Sequence, residues 1–157
     1  MSQRFLLDGM LGSLTRWLRI LGYDTLYYND KEDEDLRDEA KATGRILVTR
    51  DLELSNRAKK DGVETQLIIS EQVTDQLTEL VQSFDISLVP TNTRCPRCNG
   101  ALNPIEKDLI KDKVPSESFR AFDEFWICSE CDAVYWKGSH WTQIEETLEN
   151  IVFSKSL

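Results

Sequence analysis

Four cysteines are the residues of this chain whose spacing points most directly to a chemistry. They form two CxxC pairs, CPRC and CSEC, and they are all the cysteines in the sequence. Two such pairs are typical of a four-thiolate zinc site, because each pair forms a tight turn that presents two sulfurs to one ion. Disulfides or redox pairs are the alternative, but a redox CxxC stands between a strand and a helix, and neither pair has that context. The predicted structural zinc ligands are Cys95, Cys98, Cys128 and Cys131.

Aspartates stand at the ends of two short apolar segments. Asp8 closes FLLD, and Asp51 follows RILVT, two residues after Thr49. If both segments are parallel strands, their carboxyl ends share the edge of the sheet where ligands bind. Several carboxylates gathered there stay ionised only with a cation, and oxygen ligands suit Mg²⁺ or Mn²⁺. Helix capping is the alternative for each acid taken alone, since aspartate is a favoured N-cap.

The elements that must position these residues alternate along the first half of the chain. RFLLD, DTLYY, RILVT and TQLIIS have strand patterns, and amphipathic helices follow them. Met10, Leu14, Trp17, Leu18 and Leu21 are predicted to share one face of the first helix, which ends at Gly22. Such alternation predicts a mostly parallel sheet covered on both faces. The second helix opens with Asp33, Glu34 and Asp35, so one or two of these acids could join the same edge.

The pattern changes at Pro90. Turn formers surround the first cysteine pair, and the last segment has an apolar stripe, Trp141, Ile144, Leu148, Ile151 and Val152, that predicts a helix packing the ribbon back onto the sheet. We therefore predict an α/β domain over residues 1–89 and a zinc ribbon with a closing helix over residues 90–157.

Composition limits the class of protein. The chain has 157 residues and a net charge of −9, which argues against a general polyanion binder. No apolar run approaches the ~20 residues of a membrane span, and the N-terminus has no signal-peptide pattern. We expect a cytoplasmic protein that contacts no membrane. A nucleotide cofactor is not indicated, because neither GxGxxG nor a P-loop is present.

Basic and aromatic residues suggest where a nucleic acid would bind. Arg16, Arg19, Arg50 and His140 are the candidate phosphate contacts, although solvated arginines and a structural histidine explain them equally well. Arg94 and Arg97 flank the first cysteine pair, where a contact with RNA or with a protein partner is conceivable. Bases could stack on Trp126, Tyr135, Trp136 and Trp141, or these rings could compensate for a thin ribbon core.

The motifs together resemble a known family. FLLDGML, an acidic helix start and RILVTRD are similar to the PIN-like nucleases. LDGMLGSLTRWLRILGYDT, GRILVTRD, RCPRCN and YWKGSHW resemble more narrowly the group with a PIN-related core and a C-terminal zinc ribbon, the RNase-like domain also found at the C-terminus of the Mutator-seven exoribonuclease. This resemblance implies a three-layer PIN-like fold and a metal-dependent ribonuclease. Asp8 and Asp51 match two of its acids.

Two further acids are assigned by the same resemblance. Asp35 is the choice at the second helix, with Asp33 and Glu34 as rivals. The last acid of PIN domains follows the fourth strand, where Glu71 or Asp75 is a loose match.

The leading hypothesis is an RNA endonuclease in which Asp8, Asp35 and Asp51 bind Mg²⁺ or Mn²⁺ and Thr49 supports them. A non-catalytic adaptor for RNA or protein is the second. A phosphatase or receiver-type domain is weaker, because no DxD follows the first strand.

Overall fold

A computed structural model describes the backbone of residues 3–156 and the side chains of residues 3–151. Its first half alternates strands and helices around a four-stranded sheet whose strand pairs are parallel. The predicted α/β class is therefore confirmed. The elements are β1 (Phe5–Asp8), α1 (Gly12–Ile20), β2 (Thr25–Tyr28), α2 (Asp33–Thr43), β3 (Ile46–Thr49), α3 (Leu52–Lys60), β4 (Thr65–Leu67) and α4 (Val73–Ser83).

The strand order determines where a ligand can enter. The sheet has the order β2-β1-β3-β4, so the chain crosses over β1 on its way from β2 to β3. Phe5, Leu6 and Leu7 pair in register with Ile46, Leu47 and Val48, which places the carboxyl ends of β1 and β3 side by side. The strand order reverses between these two strands, and such a switch point opens a crevice in parallel sheets. Asp8 and Thr49 stand at its rim.

Side chains of the central strands alternate between two apolar cores. Phe5 and Leu7 face a core that α1 and α4 cover, whereas Leu6 faces a second core with α2 and α3. Strands buried on both faces need nearly continuous apolar sequence, and FLL and ILV supply it. The predicted covering of both faces is confirmed.

The first helix differs from its prediction at one end. It begins at Gly12, and Met10 lies before it with φ 75° and 81% of its surface exposed. Placing Met10 on the buried face was therefore wrong, because the turn after β1 interrupts the helical spacing. The other end is as predicted. Gly22 has φ +92°, and a Cβ there would lie 2.6 Å from Oγ1 of Thr91, so only glycine suits this stop.

The second half is built around a small antiparallel sheet with the strand order β5-β6-β7. The long segment between the two cysteine pairs forms two of its strands and two short helices. A long helix follows the sheet. The elements are β5 (Leu102–Ile105), a 3-10 helix (Lys107–Leu109), α5 (Ser116–Ala121), β6 (Phe125–Cys128), β7 (Val134–Tyr135) and α6 (Ser139–Ser156).

The last helix connects the two halves. Ile144, Leu148 and Ile151 of α6 are buried in the same core as Leu77 and Leu80 of α4. This confirms that the helix packs the ribbon onto the sheet, while the side chain of Val152 lies outside the described residues. The sequence had suggested that His140 lies just before this helix. The helix begins at Ser139, however, so His140 lies within its first turn.

Among the residues that the structure describes, none of the helices combines the length and the apolar character that a membrane span requires.

Candidate active site and cysteine cluster

Asp8 is held at the carboxyl end of β1 by two hydrogen bonds. Its Oδ1 accepts from the backbone N–H of Gly9 at 2.7 Å, and its Oδ2 accepts from the hydroxyl of Thr49 at 3.0 Å. The carboxylate is only partly buried. Its orientation is therefore fixed by the protein while one side stays accessible.

Asp51 both caps α3 and takes part in the same network. Its Oδ1 accepts from the N–H of Leu54 at 3.1 Å, which is the hydrogen bond of an N-cap. Its own N–H donates to Oγ1 of Thr49 at 3.0 Å. Capping occupies one carboxylate oxygen and leaves the other for a further ligand. The capping and metal-binding interpretations of Asp51 are thus compatible.

Thr49 joins the two acids. This fully buried hydroxyl donates to Asp8 and accepts from the backbone of Asp51, so both of its hydrogen-bonding capacities are used. A valine of the same shape could provide neither bond. Thr49 is therefore placed to fix the separation of the two carboxylates.

Asp33, at the start of α2, lies within electrostatic reach of Asp51 and Asp8. Burial raises the pKa of Asp33, and the negative charges of Asp51 and Asp8 raise it further. Arg57 of α3 donates to its Oδ2 at 3.3 Å. Asp35 is exposed instead, and its charge acts on Lys31. The electrostatic neighbourhood thus favours Asp33 as the third acid, and Asp35 stays a prediction.

The donor set fits a hard cation bound at an open site. A divalent ion would relieve the mutual repulsion of these carboxylates, which adds to burial in raising the pKa of Asp33. Among the described residues, the four cysteines form a group within 4.8 Å, and the three acids do not appear as such a group. Mg²⁺ usually keeps several waters and takes one or two carboxylates together with substrate phosphate. Such a site does not require a closed cage.

The rim beyond β3 holds other predicted residues. Arg50 donates to the carbonyl of Ile69 at 3.4 Å, and its Nε is buried without a partner among the described residues. Glu71 and Asp75, the candidates for a fourth acid, are both exposed near the start of α4. Glu79 was missed by sequence reasoning. It accepts from the N–H groups of Ile69 and Ser70 at 3.1 and 2.9 Å and so fixes the loop after β4.

Three large apolar side chains are also exposed on the loops and helix start that follow the strands. Met10, Leu52 and Ile69 expose 81%, 59% and 68% of their surfaces, and each follows the carboxyl end of a strand of the parallel sheet. Strand-end position was the signal that could have identified them. We use the name acidic edge for the part of the sheet edge that carries Asp8, Asp33 and Asp51. The exposure of the three apolar side chains means that the acidic edge is bordered by apolar surface.

The cysteine cluster has the size of a tetrahedral zinc site. The sulfurs of Cys95 and Cys131 are 3.8 Å apart, and those of Cys98 and Cys128 are 3.3 Å apart. Four ligands at a Zn–S distance of about 2.3 Å stand about 3.8 Å from one another. The four cysteines could therefore bind a metal such as zinc.

The protein environment supports charge on part of this cluster. Burial acts to raise the pKa of Cys128, but N–H groups of Cys131 and Glu130 donate to its sulfur and lower the pKa to about 7. Burial raises the pKa of Cys98 to about 12. The hydroxyl of Tyr135 lies 3.1 Å from the sulfur of Cys95. Four thiolates this close need a cation, because like charges disfavour one another's ionisation.

The first cysteine turn is attached to the sheet by a polar junction. Asn99 accepts from the N–H of Thr25 at 2.9 Å and donates to Asp24 at 2.8 Å. Asp24 forms a salt bridge with the buried Arg45 at 2.9 Å. Burial acts to raise the pKa of Asp24, but the hydrogen bonds from Arg45 and Asn99 outweigh it and hold the pKa below its usual value. This junction lies at the amino ends of β2 and β3, opposite the acidic edge.

The four predicted phosphate contacts do not lie together. Arg19 is buried and donates to the carbonyls of Thr25 and Pro96 at 3.0 and 3.1 Å, so it belongs to the junction. Arg50 lies next to Asp51, at the acidic edge. Arg16 and His140 are both exposed and line one cavity between α1 and α6.

Comparison with protein families gives a match over most of the chain. A family model described as the Mut7-C RNAse domain matches residues 3–148, which includes the acidic edge, the four cysteines and most of α6. Searches of curated proteins and of solved structures gave no match.

Proposed function

The chain belongs to the Mut7-C RNAse domain family, and we propose that it is a Mg²⁺- or Mn²⁺-dependent ribonuclease that cleaves RNA internally at the acidic edge of the sheet. One observation carries this proposal. Asp8 and Asp51 are joined through the hydroxyl of Thr49 at the point where the strand order reverses. Ligands of parallel sheets bind at such points.

Each acidic residue has a distinct role in this proposal. Asp8 and Asp51 are metal ligands, and Thr49 is a positioning residue that holds them apart. Asp33 is the preferred third acid because the charges of Asp51 and Asp8 act on it, with Asp35 as the sequence-based alternative. Asp8, Asp51 and the third acid would hold the ion, which would supply a water of lowered pKa and neutralise charge on the phosphate.

The four cysteines are proposed to hold a structural zinc ion. Four thiolates leave no open position for substrate, so the site would serve folding and not chemistry. Free thiols of this kind suit a reducing compartment such as the cytoplasm.

The test is a metal titration with matched variants. Wild-type protein, free of contaminating nuclease, is incubated with single-stranded RNA and Mn²⁺, alongside Asp8→Asn, Asp51→Asn and Asp85→Asn. Asp85 is an exposed aspartate beyond α4, at the opposite edge of the sheet, and serves as the control. Cleavage by wild type and the control that is lost in both site variants supports the enzyme. Absence of cleavage by wild type, or equal cleavage by all four proteins, contradicts it.

A non-catalytic adaptor for RNA or protein is the second candidate. The exposed Met10, Leu52 and Ile69 favour it, because apolar surface suits a protein interface. The Mn²⁺ titration with the same variants distinguishes the adaptor from the ribonuclease. An adaptor binds its partner equally well with and without Mn²⁺ and is insensitive to Asp8→Asn.

A further inference from the structure

A cavity of about 340 Å³ lies where α1, the first cysteine turn and the start of α6 meet. We call it the junction cleft and define it by Arg16, Asn92, Arg94, Arg97, Tyr135 and Trp141. Its volume is in the range of sites that bury a small organic group. It is separate from the acidic edge, and none of the proposed metal ligands lines it.

Three guanidinium groups stand in the wall of the junction cleft. Arg16 comes from α1, and Arg94 and Arg97 come from the first cysteine turn. None of them forms a salt bridge within the part of the chain that the structure describes, and no acidic side chain there lines the cleft. Three arginines without a salt bridge are a local exception on a protein of net charge −9, although Arg94 does donate to the carbonyl of Asn99 at 2.9 Å. Their planar donors match phosphate oxygens.

The lining of the cleft is also rich in aromatic rings. Tyr135, Trp136 and Trp141 line the cleft together with His140, and all four side chains are at least partly exposed. The amine of Lys137 lies 5.1 Å from the centre of the Trp141 ring, which adds positive charge beside these rings. Nucleobases stack on such rings when they are unpaired.

The cleft also contains an unsatisfied donor. The side-chain nitrogen of Asn92 is buried in its wall and has no hydrogen-bond partner among the described residues. A buried donor left unpaired is costly, so this position suits a ligand that brings an acceptor oxygen or nitrogen. Phosphate, sugar and base edges all provide one.

The cleft continues towards the acidic edge. A neighbouring cavity of about 370 Å³ shares Arg16, Pro96 and Arg97 with it and extends to Gly12 and Ser13. These two residues begin α1, directly after the loop that follows Asp8. From Arg16 to Gly12 is one helical turn, about 6 Å along the axis. A chain bound in the cleft would thus be led along α1 to the proposed metal ligands.

We propose that the junction cleft binds one unpaired nucleotide of a single-stranded RNA, with the base against the aromatic rings and the phosphate on Arg16 and Arg97. This inference rests on the proposed ribonuclease function, whose substrate it specifies. The RNA runs from this nucleotide along α1 to the acids. Duplex RNA is disfavoured as a ligand, because its bases are stacked and paired and cannot enter the cleft.

Binding is tested separately from cleavage, in the full-length zinc-loaded protein carrying Asp8→Asn. A short fluorescein-labelled oligouridylate is titrated and followed by anisotropy, with a duplex of equal length as competitor. The variants are Trp141→Ala, Trp141→Phe and the double Arg16→Ala/Arg97→Ala. Arg120→Ala is the matched control, since Arg120 is an exposed arginine on α5 that does not line the cleft.

The expected results differ for each variant. Loss of one stacking ring weakens binding roughly five- to 150-fold, and Trp141→Phe restores most of it. The double arginine variant lowers the slope of log K against log salt by about 0.7, because both arginines serve one phosphate and each lost phosphate contact removes about 0.7 for a single strand. Arg120→Ala binds like the parent, and the duplex competes poorly.

The outcomes separate the two proposals. If wild type cleaves RNA but the cleft variants bind and cleave like the control, the cleft inference is wrong and the ribonuclease stands. If binding depends on the cleft but wild type cleaves nothing, the cleft is supported as an RNA site and the enzyme is wrong. If the parent binds no oligouridylate at all, the cleft inference is overturned and a peptide partner becomes the explanation.

Discussion

The cysteine cluster and the acidic edge differ in how completely the chain assembles them. The four sulfurs lie within 4.8 Å of one another, at the spacing of a closed tetrahedral site, whereas the acids of the edge form no such group among the described residues. This difference is the one expected if the cysteines bind a structural zinc and the acids bind the hard ion that we propose. A structural zinc takes all its ligands from the protein, while a hard catalytic ion shares its ligands with water and phosphate. Four predictions test this contrast, from the largest expected effect to the smallest.

Removing the metal from the cysteine cluster should have the largest effect. In Cys98→Ser/Cys128→Ser we expect loss of zinc and unfolding of the ribbon, because binding of a structural zinc contributes on the order of 10–16 kcal/mol to folding. Metal analysis and circular dichroism of the purified protein measure this. Ser116→Ala, at an exposed serine of α5 outside both cysteine turns, is the control. Full retention of ribbon structure without zinc would contradict a structural site.

Asp8→Asn should remove activity and leave the fold intact. The amide keeps the shape of the carboxylate and removes its charge, so we expect a loss of at least about 100-fold in cleavage rate, more than outer ligand partners usually cost. Cleavage is measured at saturating Mn²⁺, and zinc content is measured in parallel. Asp35→Asn and Asp33→Asn in the same assay identify the third acid. An equal or greater loss in Asp35→Asn would restore the sequence-based choice.

Thr49→Val should weaken the acidic edge without affecting the cysteines. Valine fills the same space but cannot hold Asp8 and Asp51 in position, and loss of such a supporting partner typically costs 10- to 100-fold in metal affinity or activity. The expected signature is a higher Mn²⁺ concentration for half-maximal cleavage. Thr49→Ser, which keeps the hydroxyl, should recover most of the loss. Failure of serine to recover it would point to packing and not to the hydrogen bonds.

The polar junction between the first cysteine turn and the amino ends of β2 and β3 should respond to pH through Asp24. Its folded pKa lies below the usual 3.8 because Arg45 and Asn99 donate to the charged form, so its contribution to stability is present above pH 3.8 and is lost as pH falls through the lowered pKa. Asp24→Asn should lower the free energy of unfolding by about 1.5 kcal/mol near neutral pH, since the hydrogen bonds of Asp24 involve a charged group. Urea unfolding of both proteins measures the difference.

The difference in free energy of unfolding between wild type and Asp24→Asn should shrink as the pH falls below 3.8, where the wild-type carboxyl becomes neutral as well. Zinc loss in acid affects both proteins alike and cancels in the comparison. A difference that stays constant down to strong acid would contradict the role given to the charge of Asp24.

Local sequence predicted much of the fold because its strands are buried on both faces. FLL and ILV have few alternatives to central strands, and Gly22 and Gly44 have the positive φ that ends α1 and α2. The same local rules failed at Met10, where a turn breaks the helical spacing, and at His140, which lies inside α6. Element ends depend on tertiary contacts that periodicity does not contain.

The acidic edge was predicted in outline and left open in detail. Strand-end position was enough to select Asp8 and Asp51. Three adjacent acids open α2, however, and the sequence does not indicate which of them faces the strands. Asp33 is distinguished only by the fields of Asp51 and Asp8 and by its contact with Arg57. Arg19 likewise lies off the apolar face of α1 in the sequence pattern, which predicts an exposed side chain. In the structure the first cysteine turn packs over Arg19 and buries it.

The sequence by itself determined the order of strands and helices in the first half of the chain, the two apolar faces of the sheet and the two cysteine pairs CPRC and CSEC. These depend on neighbours a few residues apart, where periodicity and turn chemistry act. Only the tertiary structure decided that β1 lies beside β3, so that Thr49 reaches Asp8 across 41 positions. It also brought Arg16, Arg97 and Trp141 to one cleft. Such contacts arise from packing between distant segments, which no local pattern encodes.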